Sequence, residues 1–396
     1  MTPALESLFL FPKPILIIHP PRIAEDKEGL LVSARVDFER QGLNVPEKLW
    51  YRFPSEYIDY VSEDIDGFLV ALLPSAMALG ENITLEAPVS QRLAFGLRDY
   101  QNIQNAWWPD EFNMVDIEYR EFRKPGGVKP KAVGSSFSGG VDAFYTLWQH
   151  LARNEEIPAA QITHCLMING FDKDTDLNKA GWFQKMYERY AHHLKGLGVE
   201  LLTVMNNLRF FRVSLIKPQG LSHSHAAPLA ASAMIMGRLW NRFYIPGSSS
   251  YASLMPEGSH PMSDHLLSTE ELSIVHDGAN ASRTEKIEQV SRLSETREYL
   301  RVCIGQPIFN AQSGVIENCC RCTKCVETMI ALELLDVLHE SPTFPRPLTR
   351  EHIWNASMRR WRYQENLQLA RRVGRRDVMI DLRYWSMLER QRAEKR

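Results

Sequence analysis

Ser135-Ser136-Phe137-Ser138-Gly139-Gly140-Val141-Asp142 lies between a short apolar run, 132–137, and a segment of helical character, 142–151. The apolar run reads as a strand. The two glycines let the backbone turn tightly and approach a ligand with no Cβ in the way. A helix that starts directly after such a turn aims unpaired N–H groups and its positive dipole end at the loop, a natural seat for pyrophosphate. Asp142 stands in the first turn, where it can cap the helix or help hold a magnesium ion. The chain has no Gly-x-x-x-x-Gly-Lys-Ser/Thr and no Gly-x-Gly-x-x-Gly after this strand, which removes two other phosphate loops.

Outward from this loop, strands and helices alternate. Residues 162–168, 200–205 and 243–246 read as strands, and 177–197 and 226–240 as helices. That order predicts an α/β fold: a parallel sheet with helices on both faces and ligands at the carboxyl ends of its strands. Residues 247–268 form a long irregular loop, of the kind that is usually functional in a compact domain. A helix near 284–301 and a cysteine cluster follow. Upstream, Lys124-Pro125-Gly126-Gly127 and Pro130 mark a boundary. Residues 1–127 are therefore expected as an N-terminal α+β domain with a structural, partner-binding or substrate-gating role. Residues 128–340 are expected as the catalytic domain, and 341–396 as a basic helical tail.

The chain of 396 residues is 44% hydrophobic, enough for a sizeable core and for two or three domains. A net charge of −2 advertises no polyanion partner for the whole molecule. The tail is the exception, with fourteen Lys and Arg against six Asp and Glu. The early apolar run 8–18 is broken by Pro12, Lys13 and Pro14 and lacks a basic segment before it, so neither a membrane span nor a secretion signal is expected. The expectation is a soluble, cytoplasmic protein, and a homodimer.

Five of the six cysteines lie within 303–325. Cys319, Cys322 and Cys325 have the spacing Cys-x-x-Cys-x-x-Cys, and Cys303 stands upstream. Without a secretion signal, such clustering reads as a metal site rather than a disulfide framework. Four thiolates around zinc are the standard structural arrangement. Cys320 is a fifth candidate that can exchange with Cys319, and an iron–sulfur cluster competes with zinc.

The stretch 138–142 resembles the Ser-Gly-Gly-x-Asp-Ser signature of the PP-loop ATP pyrophosphatases, with Ala143 in place of the last serine. Residues 319–327 resemble the zinc-binding stretch of the 7-cyano-7-deazaguanine synthase family, and Cys303 matches that family's first cysteine with a longer insert. The resemblance covers about residues 131–335 and not the N-terminal domain or the tail. It implies an adenine nucleotide alpha hydrolase-like fold, ATP on Ser136, Phe137, Ser138, Gly139, Gly140, Val141 and Asp142, and a zinc ion on Cys303, Cys319, Cys322 and Cys325. It also implies magnesium, adenylation of a carboxylate, and attack by ammonia to give an amide and then a nitrile on a 7-deazaguanine-like substrate. Divergent members with extra domains occur in bacterial antiviral defence gene sets, and this chain looks like one of those.

Further candidates follow from position. His225, with Asp142 and Lys286, is a candidate catalytic residue. Lys286 sits where the family has a lysine after the substrate loop, and Arg283 is a second cation for transition-state charge. Asn169 and Asp172 follow the second strand and are expected near adenine or ribose. Ser248, His260 and Asp264 are expected to recognise the substrate from the loop. Arg371, Arg372, Arg375 and Arg376, with Trp361 and Trp385, can bind a protein partner or RNA, but no RNA-binding motif accompanies them. His192 and His193 read as a surface pair. Two rival readings are a tRNA thiolation-type modification by the same adenylation, and a nucleotide-binding scaffold without turnover. Asp142→Ala is expected to abolish pyrophosphate release and leave the fold intact.

Overall fold

A computed structural model describes residues 14–124, 130, 132–170, 181–303, 308–310 and 314–394. Asp172 lies outside the described residues. The first part supplies β1 (Ile15–Ile18), β2 (Arg22–Asp26), β3 (Gly29–Phe38), β4 (Lys48–Phe53), α1 (Asp66–Leu79), β5 (Asn82–Leu85), α2 (Gln91–Trp107) and β6 (Ile117–Tyr119). Then come β7 (Ala132–Ser136), α3 (Val141–Gln149), β8 (His164–Asn169), α4 (Trp182–Gly196) and β9 (Glu200–Asn206). These are followed by α5 (Leu208–Leu215), α6 (Pro218–Ser222), α7 (Ala226–Ile235), β10 (Trp240–Pro246), β11 (Ser273–Asp277), α8 (Arg283–Ser291) and α9 (Ser294–Tyr299). A small hairpin, β12 (Ile308–Phe309) and β13 (Ile316–Glu317), precedes α10 (Thr323–Leu334), α11 (Arg350–Asn355), α12 (Arg360–Arg372) and α13 (Arg376–Glu394).

The fold is mixed α/β, built on an eleven-stranded sheet in the order β11-β10-β7-β8-β9-β4-β3-β1-β5-β6, with β2 on β3. The stretch from β11 to β9 is parallel throughout. Its strands show why both faces are covered. In β8, Cys165 and Met167 point to one core and Leu166 to the other; in β10, Tyr244 faces the first core while Phe243 and Ile245 face the second. Alternate residues that are all apolar need cover on both sides. Helices α1 and α7 pack on one face, and α3, α8 and α10 on the other.

The sheet does not stop at the expected boundary. β4 pairs antiparallel with β9, Tyr51 opposite Asn206 and Arg52 opposite Met205. Asn207 reinforces the seam: its Oδ1 accepts from Trp50 N at 2.9 Å and its Nδ2 donates to Lys48 O at 2.8 Å. Leu16, Val32 and Tyr51 share one apolar core with Leu202, Ala230 and Phe243. Gly67 permits the helix contact across that core, since a Cβ there would sit 2.8 Å from Ile235 Cδ1 and 3.0 Å from Ala231 O. Residues 14–124 thus share both sheet and core with the parallel half.

Some elements differ from expectation. The helix expected over 226–240 ends at Ile235, and Trp240 opens β10 instead. Its ring packs where a side chain on Gly134 would be, which anchors it in the sheet rather than on the helix. The helix expected over 284–301 is two helices, α8 and α9. α5 and the edge strand β11 had no counterpart in the sequence reading. Among the described residues no helix is long and apolar enough to cross a membrane.

Candidate functional site

β7 ends at Ser136, and Phe137 N donates to Leu166 O at 2.9 Å, which holds the chain extended into the loop. Gly139 then takes φ +72°, the left-handed region that favours glycine. The Tyr190 hydroxyl fills the place a Cβ on Gly139 would need. Arg301 N donates to Gly139 O at 2.8 Å, and Tyr190 Oη donates to Tyr299 O at 3.2 Å, so residues 299–301 run along the loop. Gly140 is the N-cap of α3 and has no side chain to cap the first turn, while its own N–H donates to Ser138 Oγ at 3.4 Å. Asp142 therefore does not cap it, contrary to one expectation. The first-turn N–H groups are left for an anion.

Asp142 turns instead toward α8. Arg283 Nη1 lies 2.5 Å from its Oδ2, Ser248 Oγ donates to the same oxygen at 3.0 Å, and Lys286 Nζ stands 3.8 Å from Oδ1. Burial works to raise this carboxyl, but the charges of Arg283, Lys286 and Arg362 outweigh it and hold it well below the usual range. Oδ1 makes no hydrogen bond. Lys286 is fully buried and donates to Gly247 O at 2.7 Å. Its burial lowers the ammonium's pKa, with Asp142 opposing.

The loop opens into a cavity of about 590 Å³ at the carboxyl edge of the sheet. Ser136, Phe137, Ser138, Gly140, Val141, Asp142 and Ala143 form one wall. Leu166, Ile168, Leu229 and Pro246 form an apolar wall suited to a flat ring. Arg283, Arg301 and Lys324 bring cations, and Cys303 joins the lining.

Beside it, the Sγ atoms of Cys303, Cys319, Cys322 and Cys325 all lie within 4.8 Å of one another. Cys322 and Cys325 sulfurs are 3.4 Å apart, and Cys319 and Cys325 sulfurs 3.8 Å. Four sulfurs around one tetrahedral zinc stand about 3.8 Å from each other, so the four thiols can hold a metal ion such as zinc. Asn318 ties the two ligand segments together. Its Oδ1 accepts from Val302 N at 2.9 Å and Cys303 N at 3.0 Å, and its Nδ2 donates to Leu300 O at 3.0 Å. Cys320 points elsewhere: it takes φ +58° and its thiol donates to Asn318 O at 3.4 Å.

The structure does not gather every expected site residue at the cavity. Asp142 lines it; Ser248 and Lys286 contact Asp142 but are not themselves among the lining residues. Asn169 is buried at the end of β8 but is not among the lining residues. His225 precedes α7, with Nδ1 on Ser222 O at 2.9 Å. Asp264 is fully buried and is held by Ser259 Oγ at 2.6 Å, His260 N at 2.9 Å and His276 Nδ1 at 2.9 Å. His260 packs against Trp107, with 4.9 Å between ring centres. These two brace the loop from inside. His193 is not a surface residue; it is buried and stacks on Tyr299 at 4.2 Å.

The sequence reading missed Arg301, Lys324 and Arg362. Proximity to the cysteine motif was the available signal for the first two. Arg362, from tail helix α12, had none. It is buried 3.8 Å from Glu327, and burial together with Arg283 pushes its guanidinium down to about 10. In the rest of the tail, Arg372 pairs with Glu288 and Arg375 with Glu333, while Trp385 is buried and donates to Ala356 O at 2.8 Å. Comparison with models of protein families, with curated proteins and with solved structures returns no match.

Proposed function

We propose that the chain binds ATP at the glycine loop and transfers its adenylyl group to a substrate carboxylate, releasing pyrophosphate. Ammonia then displaces AMP to give an amide, which is dehydrated to a nitrile, on a 7-deazaguanine-like acid. The observation that carries this reading is the uncapped N-terminus of α3, behind a left-handed glycine, opening into a cavity that also holds Arg283, Arg301 and Lys324.

In this reading the N–H groups of 139–142 hold the β and γ phosphates, and Ala143 removes one hydroxyl contact without removing any backbone donor. The apolar wall of Leu166, Ile168 and Leu229 takes the adenine. Arg283 and Arg301 offset charge that develops on the phosphate oxygens as the carboxylate attacks in line. Asp142 is the one carboxylate among the lining residues, and its Oδ1 makes no hydrogen bond, so it fits a magnesium ion bound with the phosphates. Such an ion would neutralise phosphate charge. A zinc ion on the four cysteines would fix the segment 300–303 against the loop, without touching the chemistry.

The test is pyrophosphate release from ATP with 7-carboxy-7-deazaguanine and ammonium, beside elemental analysis. About one zinc per chain with substrate-stimulated pyrophosphate supports the proposal. Zinc without stimulation requires another acceptor. Iron and sulfide in place of zinc would favour tRNA thiolation, and no nucleotide binding at all would sink the reading.

A further inference from the structure

A second cavity, of about 520 Å³, lies on the seam between residues 14–124 and the parallel half of the sheet. It is at the opposite edge from the glycine loop: Gly237 and Arg238 precede β10, and Leu272 precedes β11. Three carboxylates converge there on one guanidinium. Arg123 Nη2 lies 3.0 Å from Asp66 Oδ2 and 3.1 Å from Glu271 Oε2, and its Nε lies 3.6 Å from Asp64 Oδ1. Among the described lining residues, the four carboxylates Glu63, Asp64, Asp66 and Glu271 face the two guanidiniums of Arg123 and Arg238, an excess of negative charge in a recess partly shielded from water. Among the described residues these carboxylates do not form a group close enough to ligate a metal ion.

A second observation is independent of that charge. Ser62 lines the same cavity, is only 4% exposed, and its hydroxyl has no hydrogen-bond partner. A buried hydroxyl left unpaired is destabilising, so the recess lacks a polar group that would complete it. Met234 and Leu272 give the cavity an apolar wall.

We propose that this cavity binds a small aliphatic amine. Its ammonium group would be held among Asp64, Glu271 and the Ser62 hydroxyl, with its carbon chain on Met234 and Leu272. An ammonium offers three donors and no acceptor, which matches a site of carboxylates and an open hydroxyl oxygen. Because the recess joins Asp66 at the start of α1 to Glu271 before β11, an occupant there bridges the two parts of the sheet.

The test is calorimetric titration of the full chain with putrescine, run beside its neutral diol analogue. One saturable site for the diamine and none for the diol is expected. Asp64→Asn should weaken it about tenfold and Ser62→Ala about threefold, with ATP binding unchanged in both. Ser62→Ala removes an unpaired hydroxyl and so keeps the test informative if the charge variant folds poorly. No saturable binding, or equal binding in wild type and both variants, overturns the proposal. Neither outcome depends on whether the glycine loop performs adenylation.

Discussion

Arg283 Nη1 lies 2.5 Å from Asp142 Oδ2, joining the first turn of α8 to the first turn of α3 directly beside the glycine loop. The contact explains how a carboxylate can sit at a helix terminus whose N–H groups are open to an anion. Its charge is offset by Arg283 and Lys286, so the local field remains open to an anion.

Removing Asp142 therefore does more than the sequence reading expected. Asp142→Ala is expected to abolish pyrophosphate release, and it also leaves Arg283 and Lys286 without their shared counter-ion. A loss of about 2–3 kcal/mol is expected, somewhat below that for breaking a fully buried pair. Urea unfolding of the variant measures this directly, and an unchanged midpoint would show that the cations do not depend on Asp142.

Gly139→Ala meets two obstacles, a left-handed backbone and the Tyr190 hydroxyl. The expected cost is about 2 kcal/mol of stability, with a loss of nucleotide affinity. In a Tyr190→Phe background part of the cost should disappear, because the hydroxyl is the nearest atom in the way. Strict additivity in that double-mutant cycle would refute the contact.

If the four cysteines hold a metal, its chelation should lower the melting temperature and ATP affinity together. The link is short: Cys303 lies two residues from Arg301, whose N–H donates to Gly139 O at 2.8 Å. Cys303→Ser should reproduce both effects. Cys165→Ala, in the core of β8, should change stability but not metal content. Metal loss with unaltered nucleotide binding would separate the two sites.

Asp66 gives the pH dependence. Burial pushes its carboxyl up to about 6 from 3.8, against the Ser90 N–H and Arg123 that lower it. The folded state thus binds a proton more readily than the unfolded state. This contribution is fully present below about pH 4 and is lost as pH rises through about 6. Measured against Asp66→Asn, wild-type stability should fall by about 2 kcal/mol between pH 4 and pH 7. A flat difference across that range would exclude the assignment.

Sequence reading found the parts of the site that are local. Residues 135–142 carry strand, turn and helix start within one short stretch, and the cysteines from 319 to 325 carry their own spacing. The parallel strands β7, β8, β9 and β10 were legible for the same reason, as short apolar runs separated by helices. The edge strand β11 was not, because Ser273, His276 and Asp277 leave it with little apolar pattern.

What the sequence by itself determined is the glycine turn, the α/β alternation around it and the cysteine cluster, since each rests on backbone freedom or spacing between near neighbours. Only the tertiary structure decided that β4 would pair with β9, that Arg283 and Lys286 would surround Asp142, and that Arg362 from the tail would join them. Those outcomes depend on burial, which brings residues far apart in the chain into one low-dielectric space. A charge pattern read along a sequence carries no record of which of its members will be enclosed together.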